Sequence, residues 1–586
     1  MKQELEKQIL AAVQALFNVD VHVELSRPEE QFGDYASNVA MQLSKQLGKN
    51  PREIADQLKP KLEELDLVSG VEVAGPGFLN LKLTDAALVQ AAQIEPAKSL
   101  AGKVVVAEYS DPNPFKVLHA GHLYTSVVGD SIANLLELAG AEVHRVNFGG
   151  DVGMHVAKTM WAIIKQFGGE DPQQLNDIPA DQHAEWMAAA YIEGTNAFED
   201  DESAKAEIVV LNKRVYQLHN ENDHDSPFAQ IYWTCRQWAY DYFDAFYDRI
   251  GTKFEKYYPE SQTAPLGLET VRAHIGEVYQ ESDGAIVFDG EKHGLHTRVF
   301  INSEGLPTYE AKDVGLVILK KRDYNFDRSV VITGNEQLQY MSVVLKSIEQ
   351  FEPELAANTT HLTHGLVKLQ GGVKMSSRKG NILRAVDVLD EATEAVKALG
   401  QSEDDQIVLG AVKYSFLRQR MGGDIVYDPK ESVSLEGNSG PYLQYAHARA
   451  RSVLARAAES SHADGAQLRS DAHVPQARSA SVLPDHPSSH DATAALNGVE
   501  FENGERSLIR KIGEYTEVVN KAVNELMPHH ICTYLYELAQ TFNRFYENNR
   551  VVGDEREKIR LALVQRYAET LRSGLSLLGI TAPDKM

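Results

Sequence analysis

Residues 103–139 read KVVVAEYSDPNPFKVLHAGHLYTSVVGDSIANLLELA, and the order of patterns within them decides the fold. The opening run KVVVAEYS (103–110) is apolar and rich in β-branched residues, the composition of a parallel strand buried on both faces. A loop punctuated by Pro112 and Pro114 follows, and from Leu123 to Ala139 the apolar residues recur at helical spacing. Strand, loop and helix in that order open a doubly wound sheet. AEVHRVNFGGDVG (141–153) supplies a second strand ending in glycines and RSVVITG (328–334) a third, with helical patterns between them, as βαβ units require.

Outward from this core, residues 1–95 form a small α/β unit of their own. EKQILAAVQALF is an amphipathic helix, VEVAGPGFLNLKL alternates as strands about a Pro-Gly turn, and an Ala- and Lys-rich linker occupies 96–102. From about residue 386 to Met586 the pattern is helical, with no convincing strand alternation. Within that region, residues 458–498 are rich in Ala, Ser, His, Asp and Pro without period, and are expected to form a flexible surface loop. The expected architecture is α/β. It comprises a small N-terminal α/β domain (1–100), a Rossmann-type parallel-sheet domain with insertions (101–385) and a C-terminal α-helical bundle (386–586).

Composition narrows the function classes. The 586 residues are 43% hydrophobic and 24% charged, and no uncharged apolar stretch approaches the roughly 18 to 20 residues that span a bilayer. MKQELEKQIL has no apolar core and no small-residue cleavage site, so a cytoplasmic protein without membrane association is expected. The two cysteines, Cys235 and Cys532, are far apart, so no CxxC pair exists and neither zinc nor another protein-bound metal is expected. A net charge of −26 argues against a polyanionic partner, but the charge is uneven. Residues 151–260 carry 9 basic and 20 acidic side chains, whereas residues 501–586 carry 12 of each, a locally neutral surface that could hold nucleic acid.

Two motifs carry phosphate chemistry without a Walker loop. His119 and His122 flank Gly121 where loop becomes helix, so two imidazoles can donate to phosphate oxygens at an end where the helix dipole favours negative charge, with the glycine allowing close backbone approach. GGVKMSSRKGN (371–381) sets Lys374, Met375, Ser376, Ser377 and Arg378 between glycines, as suits a loop that closes over a triphosphate. Taken alone, it could equally be a solvated basic turn.

HAGH and KMSSR, in this order, resemble the HIGH and KMSKS signatures of class I aminoacyl-tRNA synthetases. FGDYASNVAMQLSKQLGKNPREIA (32–55), the SDPNPFKVLHAGH loop, NFGGDVG (147–153), PTYEAKDVG (307–315) and EGNSGPYLQYAHARAR (436–451) narrow the resemblance to arginyl-tRNA synthetases. The resemblance implies L-arginine, ATP with Mg²⁺ and tRNA(Arg) as substrates, and a monomer is expected. It makes His119, His122 and Lys374 the catalytic residues, with Gly121, Met375, Ser376, Ser377 and Arg378 beside them at ATP. It assigns Tyr309 and Asp313 to the guanidinium, four apart and therefore on one helix face, with Glu260 as a second acid and Gln337 nearby. Asn113 and Asn147 stand at two loop ends, where amides can meet the substrate ammonium and carboxylate. Tyr442, Tyr445 and Arg449 are assigned to the anticodon, and Phe78 and Asn80 to the outer corner of the tRNA; by composition alone, core tyrosines and a strand with one buried Phe explain them as well. Two positions depart from the family pattern: Tyr340 stands where a His is common and His155 where a Gln is common. A non-catalytic tRNA-binding paralogue is the alternative, and intact HAGH and KMSSR weigh against it.

Overall fold

The computed structural model describes residues 1–369, 383–400, 404–467 and 494–586. Its central sheet has five parallel strands: Val104–Glu108 (β1), Glu142–Gly149 (β2), Lys256–Pro259 (β3), Arg328–Gly334 (β4) and Thr359–His364 (β5). Their order is β5-β4-β1-β2-β3. The chain builds outward from β1 on one side and then returns to the other, so the loops leaving β1 and β4 diverge and open a crevice at the C-terminal ends of the strands.

The apolar run of β1 serves two cores. Val105 and Ala107 face one cluster with Val330 and Ile332, while Val106 faces the other with Val146 and Val331. That is the period-two alternation of a strand covered on both sides. Fully buried Val106 contributes roughly 1.5–3 kcal/mol through its side chain. Helix Ala120–Leu138 (α1) covers the first face through Leu123 and Val127. Helices Glu260–Ala273 (α2) and Tyr309–Tyr324 (α3) cover the second through Val271, Ala311 and Val314. They cross with their backbones touching: a Cβ on Gly267 would run into the Ala311 carbonyl, and one on Gly315 into the Thr263 carbonyl.

The N-terminal unit has the expected amphipathic helix, Lys2–Phe17, and an antiparallel hairpin of Val68–Ala74 with Phe78–Leu83. It docks on the C-terminal helices through a buried ion cluster. Asp34, with no exposed surface, accepts from Arg506 (2.7 Å), Arg510 (3.0 Å) and the Leu83 amide (2.7 Å).

Two expectations for the C-terminal region need correction. A short strand is present at Ile425–Tyr427, pairing in parallel with Val367–Leu369; at three residues, with only one buried-exposed-buried alternation, it is too short for a periodic pattern to reveal. The helix Gly440–Gln467 runs into the stretch expected as a loop from 458, because the alanines there extend its pattern; residues 468–493 lie outside those described. No described helix is long and apolar enough to cross a membrane.

Candidate active site

A cleft of about 800 Å³ opens at the C-terminal ends of β1 and β4, and His119, His122, Asn113, Tyr309, Asp313 and Gln337 all line it. Gly121 and Glu260 line it as well.

The helix α1 begins three residues before the periodic pattern because His119 caps it with its own ring. Its Nδ1 accepts from the amides of Gly121 (3.1 Å) and His122 (3.3 Å), while Nδ1 of His122 accepts from the His119 amide (3.1 Å). This is a capping box built from imidazoles. The rings stack with centroids 3.7 Å apart, and a Cβ on Gly121 would sit 2.9 Å from the His119 ring. Burial drives the His119 pKa down to about 4, aided by the charge of Lys116. Burial, the neighbouring His119 and Lys116 drive His122 well below the ordinary value. Both rings are therefore neutral at pH 7. With each Nδ1 accepting, each ring proton sits on Nε2, which gives two fixed N–H donors. The Gly121 and His122 amides themselves are taken by the cap.

Lys374, Met375, Ser376, Ser377 and Arg378 lie outside the described residues. The flanks of their stretch border the cleft. Leu366 and Val367 line it, and the Leu383 carbonyl accepts from the Ala120 amide (2.8 Å) at the head of α1.

At the opposite wall, Tyr309 is 56% exposed and Asp313 is 6% exposed, one helical turn apart on α3. Asp313 Oδ2 accepts from the Tyr340 hydroxyl. Burial pushes the Asp313 pKa up to about 8 against the pull of that hydrogen bond, with the charges of Glu108 and Glu260 adding to the rise. Glu260 is the first residue of α2 and is paired with Lys312 Nζ (2.5 Å), both groups being almost wholly buried. Lys312 also lies 5.0 Å from the centroid of the Tyr309 ring and 5.6 Å from that of Tyr216. Tyr216 comes from the helix Glu202–Asn220, in a region where no motif was legible. Lys312 itself could have been suspected: it precedes Asp313 inside PTYEAKDVG, and a lysine in a buried helix segment needs an acid.

Asn113 lines the cleft, and its Oδ1 accepts from the Gly150 amide (2.8 Å). Asn147 is corrected. It is 3% exposed, donates to the Tyr109 carbonyl (3.4 Å) and the Tyr247 hydroxyl (3.2 Å), and does not line the cleft, because it lies within β2 rather than beyond its end. His155 donates from Nε2 to the Gly150 carbonyl (2.7 Å).

The residues expected at the tRNA lie elsewhere. Phe78 is 41% exposed at the start of its strand, and Asn80, two residues on, is buried. Tyr442 accepts from Asn543 (2.9 Å), Tyr445 is 44% exposed, and the Arg449 guanidinium stacks 4.7 Å from the Tyr546 ring centroid.

Comparison with known proteins agrees with this architecture along the whole chain. A family profile described as "tRNA synthetases class I (R), catalytic domain" matches residues 83–422. Profiles described as "Arginyl tRNA synthetase N terminal domain" and "DALR anticodon binding domain" match residues 2–83 and 443–586. The arginine–tRNA ligase of Porphyromonas gingivalis is 30% identical, over 100% of this chain and 99% of that protein. That of Bacteroides fragilis is 28% identical over 100% of both. Among solved structures, the arginyl-tRNA synthetase of Thermus thermophilus superposes with a TM-score of 0.76 at 25% identity, covering 100% of both chains. That of Plasmodium falciparum, at 20% identity, has the same fold with a TM-score of 0.76.

Proposed function

Since the chain belongs to the class I arginyl-tRNA synthetases, we propose that the cleft at the head of the five-stranded sheet is where it joins L-arginine to ATP and passes the arginyl group to tRNA(Arg). The enzyme is an arginine–tRNA ligase. In the first step the arginine carboxylate attacks the α-phosphate of ATP, forming arginyl-adenylate and releasing diphosphate. In the second a hydroxyl of the terminal ribose of the tRNA attacks the adenylate carbonyl and AMP leaves. No protein nucleophile is required. Charge grows on phosphate oxygens in the first step, and the Nε2–H groups of His119 and His122 are fixed donors that need no reorganisation to meet it. Lys374 adds a cation from the 371–381 stretch, and ATP enters as its Mg²⁺ complex.

Tyr309 and Asp313 receive the guanidinium, Gln337 lies beside them, and Glu260 shapes the wall through its pair with Lys312. Lysine, whose point charge lacks a planar fork, would leave part of this wall unpaired. The N-terminal unit, with Phe78 and Asn80, holds the outer corner of the tRNA, and the helical region, with Tyr442, Tyr445 and Arg449, the anticodon. The division into residues 1–100, 101–385 and 386–586 follows those three tasks. The chain acts as a monomer in the cytoplasm.

The observation that carries this reading is the stacked imidazole pair opening onto the same cleft as Tyr309 and Asp313. ATP–diphosphate exchange with each of the twenty amino acids, with and without tRNA, tests it. Exchange with arginine alone among the amino acids, falling roughly 100-fold in His122→Ala, is the expected outcome. Exchange supported by a different amino acid would overturn the pocket assignment.

A further inference from the structure

The cleft occupies one end of the central sheet. At the other end, a pocket of about 440 Å³ opens between the N-terminal ends of β1 and β4, a volume within the roughly 300–1,000 Å³ of small-molecule sites. Three adjacent strands bring residues to it: Lys103 stands just before β1, Arg328 is the first residue of β4, and Asn358 stands just before β5. Lys321, from the last turn of α3, and Asn325, which ends that helix, complete the polar lining with Asp327, and Phe326 supplies an apolar wall.

The charges of this pocket do not balance. Three basic side chains, Lys103, Lys321 and Arg328, meet one acid, Asp327. That acid is spent: its Oδ1 accepts from Lys103 (2.8 Å) and its Oδ2 from the Val104 amide (2.9 Å). Lys321 donates to the Phe326 carbonyl (2.7 Å) and forms no ion pair among the described residues. Arg328 donates from Nε to a hydroxyl, Thr360 Oγ1 (3.2 Å), and it too forms no ion pair among them. Burial lowers the pKa of Arg328 with nothing to oppose it. Arg145 and Arg236 are pushed down by burial as well, yet Glu137 and Asp151 lift both above the ordinary value. A recessed cation without an acid is costly to keep, and an anion from solution offsets that cost.

The kind of anion follows from the donors. A guanidinium offers a planar fork to the oxygens of a phosphate, and an ammonium adds a second point charge. Three basic groups less one acid leave an excess of two positive charges, which suits a phosphate dianion better than a carboxylate. The amides of Asn325 and Asn358 can add neutral donors. An extended polyanion would also meet the repulsion of a chain with net charge −26, whereas a small anion senses mainly the charges within a Debye length of about 8 Å. We propose that this pocket is a second anion site, taking the phosphate group of a small molecule between Arg328 and Lys321 at the end of the sheet remote from the cleft. Its ligand does not depend on the amino acid that the cleft accepts.

Inorganic phosphate, diphosphate and AMP are each titrated calorimetrically into the full chain at low ionic strength, with the cleft filled by a non-hydrolysable arginyl-adenylate analogue. One remaining site is expected for at least one of the three, and the tightest of them identifies the source of the phosphate. Arg328→Gln and Lys321→Gln should each weaken that site roughly 10- to 100-fold, and Arg328→Lys, which keeps the charge and loses the fork, by less. Aminoacylation by either Gln variant should stay within about twofold of the unsubstituted enzyme. The two substitutions stand on different elements, so one suffices where the other fails to fold. No remaining site, or one that neither Gln substitution weakens, would overturn the proposal. Acetate bound as tightly as phosphate would overturn it as well, by making the site one for carboxylates. So would a tenfold loss of tRNA(Arg) binding in Arg328→Gln with the small phosphates unaffected, which would make Arg328 a contact for RNA.

Discussion

Asp34 and Asp313 are both buried aspartates, and their surroundings move them in opposite directions. Burial pushes Asp34 up, but the hydrogen bond from Arg506, the Leu83 amide and the charges of Arg506 and Arg510 outweigh it, so its pKa lies below the ordinary 3.8. Burial pushes Asp313 up as well, and only the Tyr340 hydroxyl and the more distant Lys320 oppose it, so the group settles at about 8. The difference separates a pin from a receptor. Where the chain supplies the cations, a buried carboxylate locks two units together; where it withholds them, the carboxylate waits for a cation from outside.

The largest effect should come from breaking the pin. Asp34→Ala removes the acid that Arg506 and Arg510 share, leaving Arg506 only Asp85 (3.5 Å) and Arg510 only Glu514 (3.2 Å) among the described residues, and a loss of about 3–5 kcal/mol is expected in urea unfolding, with the arginine KM of the remaining folded enzyme unchanged. The pH sense follows from the lowered pKa. The contribution of Asp34 to stability is complete above its unfolded value near 4 and is lost as pH falls through the lower folded value, so acid titration should weaken the junction only at the acid extreme. A junction already loosening at pH 6 would contradict the contrast.

Next in size is the receptor. Asp313→Asn should lower kcat/KM for arginine roughly 100- to 1,000-fold in steady-state aminoacylation while the KM for ATP barely moves, because only the amino-acid end loses its charge. A comparable rise in the KM for ATP would show the two ends to be less separate than the geometry implies.

The raised pKa makes a third test with no substitution. In the empty cleft Asp313 is mostly protonated below about 8, and a guanidinium requires the ionised form, so binding releases a proton. The half-saturating arginine concentration should therefore fall about tenfold per pH unit from 6 toward 8 and level off above. A profile flat across that range would mean that Asp313 is ionised without its substrate. The smallest effect belongs to Tyr340→Phe: with its donor removed, Asp313 is held less firmly, and the arginine KM should rise about 3- to 10-fold with kcat nearly constant.

Much of this architecture was legible from local patterns, because local physics made it. KVVVAEYS encodes β1 through its β-branched run, and VEVAGPGFLNLKL encodes a hairpin through alternation about its turn. Tyr309 and Asp313 share a face because helix geometry puts residues four apart together. The parts that escaped depend on partners distant in sequence or on atypical chemistry. Nothing near Asp34 announces Arg506 or Arg510, more than 470 positions away. The early start of α1 was missed because its cap is an imidazole, where the usual sequence signal is a Ser, Thr, Asp or Asn. The pairing of Glu260 was not legible because Lys312 reaches it from another helix.

The contact between α2 and α3 has a consequence for how the pocket endures change. At Gly267 and Gly315 the two backbones meet with no side chain between them, so the spacing of the helices carrying Glu260 and Asp313 is set by main-chain radii. Neighbouring core residues such as Val271 and Val314 can drift among apolar types, altering volume nearby without widening that gap. Any side chain at either glycine would instead force the helices apart and the amino-acid site with them. The width of the pocket is thus carried by two positions that add nothing to it but the absence of a side chain, a gauge that divergence elsewhere in the core leaves unchanged.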